Sequence, residues 1–439
     1  MVCYADLALG HRLLKELPCD DDAVAALRED PPRALKRFWE ALRPLQDQIR
    51  KELGSLVTAA LAESKASDLR GCSHPSGGIE IDEVPDRGRC LKVTKPLTRG
   101  SVLIREFPVA KVLLESKEHS LHPETRLALV LSAKEEKTKV AQKLLDHGGR
   151  DASALRMRGV LACCCGLCIG NSIEKVVSLF GWLGRVRINA VAVTALVEAD
   201  GDMVEDKVAL ALYPELARCV NHSCRPNGLL RFNAKESHLV ELLISSPHKV
   251  AAGEEVTISY GPLASSMVRS ERQAALRAQY GFECRCPSCA SKVQDEDFHW
   301  KRKAQMLDDR ARAAVQREAW QEAAIACSAS VAMLREGFRD GDIELAREEC
   351  KLAGLTLRAG DAVKAREIWA AACQVLRPLV LPADPDLQEA EEMLKRLPWP
   401  SIRQERPPSK DRSQATFATA ASKIEVAAAM GGSMPDYRD

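Results

Sequence analysis

The clearest chemical pattern in the side chains is C-x-C-x-x-C, formed by Cys284, Cys286 and Cys289. This spacing lets three thiolates reach one ion from a single tight turn, and tetrahedral zinc needs a fourth soft donor to close such a site. The N-terminus has no secretory signal pattern, so we expect the sixteen cysteines of the chain to be reduced thiols. The three cysteines therefore predict a metal site and not a disulfide framework.

A second group of cysteines lies in an apolar stretch with helical spacing. It consists of Cys163, Cys164, Cys165 and Cys168. Adjacent side chains point in different directions around a helix axis, so these four thiols cannot all reach one ion. We expect them to be buried packing residues, in keeping with the apolar character of reduced cysteine.

Three motifs occur in order in the second half of the chain. Residues 221–227 read Asn-His-Ser-Cys-Arg-Pro-Asn, residues 253–260 read Gly-Glu-Glu-Val-Thr-Ile-Ser-Tyr, and residues 280–289 read Tyr-Gly-Phe-Glu-Cys-Arg-Cys-Pro-Ser-Cys. Together they resemble the SET-domain lysine methyltransferases of the SET-and-MYND type, over residues 78–290 and the helical region that follows. The resemblance implies methyl transfer from S-adenosylmethionine to a lysine side chain of a histone or non-histone protein.

The resemblance also implies roles for individual residues. It makes Cys224 the fourth zinc ligand beside Cys284, Cys286 and Cys289, so that metal binding would tie this zinc clip to the Asn-His motif. It places Phe282 against the adenine of the donor. The full set of donor-binding residues implied in this way is Arg87, Arg89, Asn189, Asn221, His222, Tyr260 and Phe282.

Lysine methylation requires a neutral amine held in line with the methyl–sulfur bond. A free lysine ammonium has a pKa of about 10.4, which a nearby sulfonium and an apolar channel both lower. By the resemblance, Tyr260 is the catalytic residue that orients the amine through its hydroxyl. Tyr280 is expected to form the opposite wall of the lysine channel.

Two features depart from the family pattern. The first binding loop of the family reads Arg-Gly-x-Gly-Leu, whereas residues 87–91 read Arg-Gly-Arg-Cys-Leu, so Cys90 is expected to narrow the donor pocket or weaken binding. Between residues 54 and 100 the cysteines and histidines are Cys72, His74 and Cys90, so no MYND zinc module is expected. The Cys90 departure motivates an alternative function, an inactive SET scaffold that binds peptides through C-terminal helical repeats. Methyl transfer to another nucleophile such as histidine is a third interpretation.

Hydrophobic periodicity predicts the elements that position these residues, as an α+β fold. A β-rich SET body at 74–265, with a helical insertion at about 121–185, follows an N-terminal helical region at 1–73. Strand-like runs lie at 79–84, 91–93, 102–104, 109–114, 186–197, 239–244 and 255–260. The zinc-bound post-SET clip is expected at 266–292, an all-helical TPR-like domain at 293–399 and a disordered tail at 400–439. The TPR-like prediction depends on an Ala-x-x-x-bulky spacing at 323–327 and 365–369, and a plain helical bundle is the alternative.

Composition narrows the expected partners. The 63 basic and 62 acidic residues nearly cancel, which gives no reason to expect direct nucleic-acid binding or attraction to an acidic membrane. The sequence has no apolar run long enough for a membrane helix. We expect a monomer in the cytoplasm, the nucleus or both, with a lysine-containing peptide of a protein substrate as its partner.

Overall fold

The structure, a computed structural model, describes residues 4–16, 21–63, 72–84, 88–114, 120–133, 141, 144, 152–170, 172–199, 202–291, 299–339 and 341–397. The predictions for Arg87 and for a disordered tail at 400–439 lie outside the described residues.

Four helices open the chain: α1 (Ala5–Glu16), α2 (Asp21–Glu29), α3 (Pro31–Leu42) and α4 (Gln46–Ala62). A turn of 3-10 helix at Arg43–Leu45 joins the last two. The start of α3 has the expected local cause, because the Asp30 side chain accepts a hydrogen bond from the backbone N–H of Arg33 and proline occupies the first turn.

The helical insertion consists of α5 (Pro123–Ser132), α6 (Ala152–Cys168) and α7 (Ile173–Asn189). These helices share one hydrophobic core with the four N-terminal helices. Cys163, Cys164 and Cys165 are fully buried in that core, and the Cys163 thiol lies 3.7 Å from the carbonyl oxygen of Leu35. The prediction of buried packing is confirmed for these three cysteines, whereas the fourth, Cys168, is half-buried.

The insertion ends later than expected, because α7 continues to Asn189 and the strand-like run predicted from residue 186 begins at 190. The cause is visible on one face of the helix, where Val176, Leu179, Leu183 and Val186 are all buried at helical spacing. Val186 and Ile188, at the end of this helix, are β-branched and therefore also suit a strand.

The described strands form three sheets. The first has the order β1-β4-β10-β9, from Cys72–Ser73, Val102–Glu106, Leu239–Ile244 and Gly228–Asn233. The second has the order β2-β3-β11-β8, from Ile79–Val84, Gly88–Val93, Glu255–Ile258 and Asn221–His222. The third has the order β5-β7-β6, from Ala110–Leu113, Asp202–Leu212 and Ala190–Ala199. Strands β7 and β9 were not predicted from the sequence.

All three sheets contribute buried residues to one core, which supports the motifs. Strand β10 is buried at all six positions, since it lies between β4 and β9. The short helix α8 (Pro214–Cys219) follows β7 and leads directly into β8, which carries the Asn-His motif. Leu216, Val220 and Ile258 belong to the same core cluster as the buried residues of β10. The motif is therefore held by a packed β core and not by a free loop.

The rest of the described chain is helical. α9 (Arg269–Tyr280) and α10 (Pro287–Ala290) flank the cysteine motif, and α11 (His299–Gln316), α12 (Trp320–Gly337), α13 (Ile343–Arg358), α14 (Ala362–Leu376) and α15 (Pro385–Arg396) follow. The residues that motivated the TPR-like prediction are buried, with Ala323 and Cys327 on α12 and Ala365 and Trp369 on α14. Among the described helices, none combines the length and the apolarity that a membrane crossing requires.

Candidate active site and cysteine cluster

A cavity of about 1960 Å³ lies between the strands that carry the motifs and the beginning of the C-terminal helices. Ten of the predicted site residues line it: Arg89, Asn189, Asn221, His222, Cys224, Tyr260, Tyr280, Phe282, Cys284 and Cys286. Arg339 and Glu344 also line it. Residues from five separate parts of the sequence thus meet around one space, which is the arrangement that the motifs predicted.

Asn221 is held in place by two hydrogen bonds from its side-chain amide. Nδ2 donates to the carbonyl oxygen of Arg89 at 3.0 Å and to Oε1 of Glu255 at 2.9 Å. These two bonds use both protons of the amide nitrogen, which leaves Oδ1 as the acceptor available to a ligand. The backbone of β8 pairs in parallel with β11, with Asn221 opposite Thr257.

His222 connects the tyrosine motif to the cysteines. Nδ1 accepts a hydrogen bond from the backbone N–H of Tyr260 at 3.0 Å, and Nε2 lies 3.4 Å from the sulfur of Cys224. A backbone N–H can only donate, so the ring proton of the neutral imidazole is on Nε2 and points to the sulfur. Burial lowers the pKa of His222 to about 4, which keeps the ring in this neutral form.

Tyr260 is anchored through its hydroxyl. The hydroxyl donates to the carbonyl oxygen of Val220 at 2.7 Å, so its oxygen can still accept a hydrogen bond from another group. Burial raises the pKa of Tyr260 above its usual range, and the phenol therefore stays protonated at neutral pH. Residue 260 follows β11, whose parallel pairing with β8 brings it next to the Asn-His motif.

Aromatic rings surround this hydroxyl. The ring centres of Tyr260 and Tyr280 are 4.9 Å apart, and that of Phe282 lies 6.5 Å from Tyr260 in an edge-to-face arrangement. Tyr280 donates its own hydroxyl to the carbonyl oxygen of Tyr260 at 3.1 Å. Burial raises the pKa of Tyr280 to about 12, so both phenols are neutral.

The four predicted zinc ligands come together. The sulfur atoms of Cys224, Cys284, Cys286 and Cys289 all lie within 4.8 Å of one another, and Cys224 is 3.9 Å from Cys284 and 3.5 Å from Cys289. Four thiolates at zinc–sulfur distances of about 2.3 Å would have sulfurs about 3.8 Å apart. The cluster therefore has the size and the donor atoms of a structural zinc site.

Two residues of α9 support this cluster, and sequence reasoning missed both. Arg272 is buried, and its Nη2 lies 3.7 Å from the sulfur of Cys289, so that a cation faces the thiols. Gln273 clamps the backbone of Cys284, accepting from its N–H at 2.9 Å and donating to its carbonyl oxygen at 2.7 Å. Hydrogen bonds from Cys224 and Cys284 hold the pKa of Cys286 well below its usual range, which favours a thiolate in the cluster.

The family model that matches this chain is described as the SET domain, and it covers residues 88–261. The chain contains a SET domain. It is homologous to the SET-and-MYND methyltransferases, of which mouse histone-lysine N-methyltransferase SMYD3 is 39% identical over 92 residues. That segment is 21% of this chain and 20% of the mouse protein.

Two further relatives come from human and Arabidopsis thaliana. Human protein-lysine N-methyltransferase SMYD4 is 31% identical over 115 residues, which are 25% of this chain and 14% of that protein. Histone-lysine N-methyltransferase ATXR2 of Arabidopsis thaliana is 37% identical over 92 residues, or 21% of this chain and 19% of that protein. The matched segments thus span about a fifth or less of these relatives.

Among solved structures, the SET domain of LSMT bound to MeLysine and AdoHcy covers 83% of this chain and 95% of its own, with 14% identity and a TM-score of 0.32. The assignment to the SET domain rests on the family model and the sequence relatives.

Within the SET domain, the surroundings of Cys90, Asn189 and Glu255 were not predicted from the sequence. Cys90 is buried inside β3 at 1% exposure, and the described residues of this strand that line the cavity are Gly88 and Arg89. The expected narrowing of the donor pocket by Cys90 is therefore not what the structure shows. Asn189 lies at the C-terminal end of α7, where its Nδ2 donates to the carbonyl oxygen of Arg185 at 2.8 Å. Glu255, the first residue of β11, orients the Asn221 amide, a role that sequence reasoning missed.

Proposed function

We propose that this chain is a protein-lysine N-methyltransferase that depends on S-adenosylmethionine. The supporting observation is that Asn221, Tyr260 and Phe282 line one cavity beside the group of four thiols. Homology to protein-lysine and histone-lysine methyltransferases supports methyl transfer as the chemistry.

The donor would be held by polar atoms at one end and by an aromatic ring at the other. S-adenosylmethionine supplies an electrophilic methyl group on a sulfonium. Both Nδ2 protons of Asn221 are donated to protein acceptors, so Oδ1 is the amide atom that would accept from the ammonium group of such a ligand. Phe282 offers a ring face for a purine, and Arg89 and Asn189 add polar groups to the same wall.

Tyr260 would orient the incoming amine. Its hydroxyl proton is committed to Val220, so the hydroxyl oxygen accepts a hydrogen bond from the lysine nitrogen and fixes the direction of its lone pair. The phenol is protonated at neutral pH, and it therefore acts by position and not as a base. The rings of Tyr260, Tyr280 and Phe282 exclude water and disfavour the charged ammonium, which lowers the pKa of the bound lysine.

Zinc is the metal that best suits the four thiols. A Cys₄ donor set within 4.8 Å matches a closed structural site, which holds the fold and does not take part in the reaction. Cys224 lies two residues after His222 and is buried with Cys284 and Cys289. Binding would therefore fix the end of the Asn-His motif against the segment that carries Tyr280 and Phe282.

We propose a lysine-containing segment of a histone or non-histone protein as the substrate, and a monomer in the cytoplasm or nucleus as the working form. The cavity, at about 1960 Å³, has room for more than the donor, and Arg339 and Glu344 also line it. The alternative of an inactive scaffold has less support. Its main basis was the glycine-to-cysteine departure at Cys90, and this side chain is buried and is not among the residues that line the cavity.

The test combines binding and transfer. Titration calorimetry with S-adenosylhomocysteine is expected to show one site per chain, and a labelled methyl donor is expected to transfer label to lysine residues of a mixed protein extract. An Asn221→Ala variant should lose donor affinity, whereas Cys164→Ser, which changes a buried cysteine of α6, should keep it. Absence of both donor binding and transfer in the wild type would refute the proposal; label found on histidine instead would refute lysine as the acceptor.

A further inference from the structure

One buried carboxylate near the cavity has no part in the proposed mechanism. Glu106 ends β4, is 4% exposed, and lies opposite Cys72 of β1 and Val240 of β10. A buried glutamate is unusual unless its oxygens are used. Both are used here, because Oε1 accepts from the backbone N–H of Glu215 and Oε2 from that of Leu216, each at 2.9 Å.

These two N–H groups belong to the first turn of α8, which has no cap of its own. The residue before the helix is Tyr213, whose side chain makes no capping hydrogen bond, and Pro214 has no N–H to donate. A helix of six residues has little internal hydrogen bonding to hold it. The carboxylate of Glu106, more than 100 residues away in sequence, takes the place of the missing cap.

A short chain of hydrogen bonds leads from this cap to the Tyr260 hydroxyl. The N–H of Leu216 is held by Glu106, and the carbonyl oxygen of Leu216 accepts from the N–H of Val220 at 3.2 Å. The carbonyl oxygen of Val220 then accepts from the Tyr260 hydroxyl at 2.7 Å. Residues 216–220 also line the cavity, and residue 221 is the asparagine of the motif.

We propose that Glu106 is a positioning residue, whose ionised carboxylate fixes α8 and thereby sets the place of the Val220 carbonyl, the Tyr260 hydroxyl and Asn221. This inference rests on the proposed function for its catalytic consequence. The carboxylate is the stronger acceptor for the two N–H groups, since protonation places a hydrogen on one oxygen and makes that oxygen a weaker acceptor.

The geometry makes the positioning sensitive to pH. Burial raises the pKa of Glu106 to about 7, against the lowering effect of its two backbone hydrogen bonds. Protonation as the pH falls through 7 therefore weakens one of the two hydrogen bonds of the cap. The titratable and charged groups that face Glu106 are Cys72, Tyr213, Glu215, Arg218 and Cys219. Burial raises the pKa of Cys72, Tyr213 and Cys219, so none of these three ionises between pH 6 and 8.

The test uses Glu106→Gln, which imitates the neutral acid and turns one of the two acceptors into a donor. Its matched control is Asp384→Asn, because Asp384 is equally buried and caps α15 by accepting from the N–H of Leu387. Glu106→Gln is expected to speed amide hydrogen exchange in residues 215–220 by about tenfold and to weaken S-adenosylhomocysteine binding by a similar factor at pH 8. The control should affect exchange at α15 and leave that binding unchanged.

A pH series separates positioning from a purely structural effect. Wild-type affinity for S-adenosylhomocysteine is expected to fall as the pH is lowered from 8 to 6. The affinity of Glu106→Gln is expected to be low at pH 8 and to remain constant over this range. Equal exchange and equal affinity in wild type and Glu106→Gln would overturn the proposal. If the variant does not fold, a wild-type affinity that stays constant across the pH series would overturn it instead. If the wild type binds no donor, the proposed function fails, and the exchange measurement alone decides the role of Glu106.

Discussion

Replacing Tyr260 by phenylalanine removes one hydroxyl and keeps the ring that packs against Tyr280 and Phe282. The lost hydrogen bond to the Val220 carbonyl, at 2.7 Å, is expected to lower the free energy of unfolding by about 1 kcal/mol. The loss in turnover should be far larger than this stability change implies, at about 100-fold or more, because the amine loses the acceptor that directs its lone pair. Affinity for S-adenosylhomocysteine should change by less than about twofold, since the ring remains in the cavity wall.

Tyr213→Phe is the matched control for this experiment. The Tyr213 hydroxyl also donates to a backbone carbonyl, that of His238 at 2.6 Å, and the side chain is fully buried away from the cavity lining. It should lose about 1 kcal/mol of stability as well, and keep its turnover. Chemical denaturation gives the two stabilities, and single-turnover transfer from a labelled donor gives the two rates. If Tyr260→Phe transfers methyl within threefold of the wild-type rate, or if both variants slow equally, the reasoning about the Tyr260 hydroxyl is wrong.

Three further outcomes are expected. Metal analysis should find about one zinc per chain in the wild type and in Cys164→Ser, and much less in Cys286→Ser; unchanged stoichiometry in Cys286→Ser would exclude this cluster as the site. Asn221→Asp should weaken donor binding at least about tenfold in calorimetry, because a carboxylate would face Glu255 and could not donate to it; wild-type affinity would contradict the assigned role. The pKa of Glu106 is raised to about 7, so the folded protein binds this proton more tightly than the unfolded chain does. Proton binding at Glu106 therefore stabilises the fold fully below pH 4.5, and this contribution is lost as the pH rises through about 7. The unfolding free energy of wild type minus that of Glu106→Gln should therefore fall by at most about 3 kcal/mol over this range, and a constant difference in denaturation experiments would refute it.

Much of the fold could be predicted from local patterns. Period-two alternation predicted β2, and the start of α3 has a cause that is local in sequence, an aspartate cap followed by proline. Part of the metal site could also be predicted locally, because the spacing of Cys284, Cys286 and Cys289 lets three thiols reach one ion from a single turn. The predicted boundary between α7 and the following strand was wrong, since an apolar run with β-branched residues suits a strand and a buried helix face equally well.

The types of side chain and the order of the three motifs could be read from the amino-acid chain, and the motifs led to Asn221, Tyr260 and Phe282, which line one cavity. Tertiary structure alone decided which groups hold them. Glu106 reaches the helix before the Asn-His motif, Glu255 orients Asn221, and Arg272 faces Cys289. No spacing rule connects these partners, because each contact depends on how strands and helices distant in sequence pack together. The sequence shows that a carboxylate or a guanidinium is present. Its burial and its neighbours in the folded protein determine its protonation state and the groups that it holds.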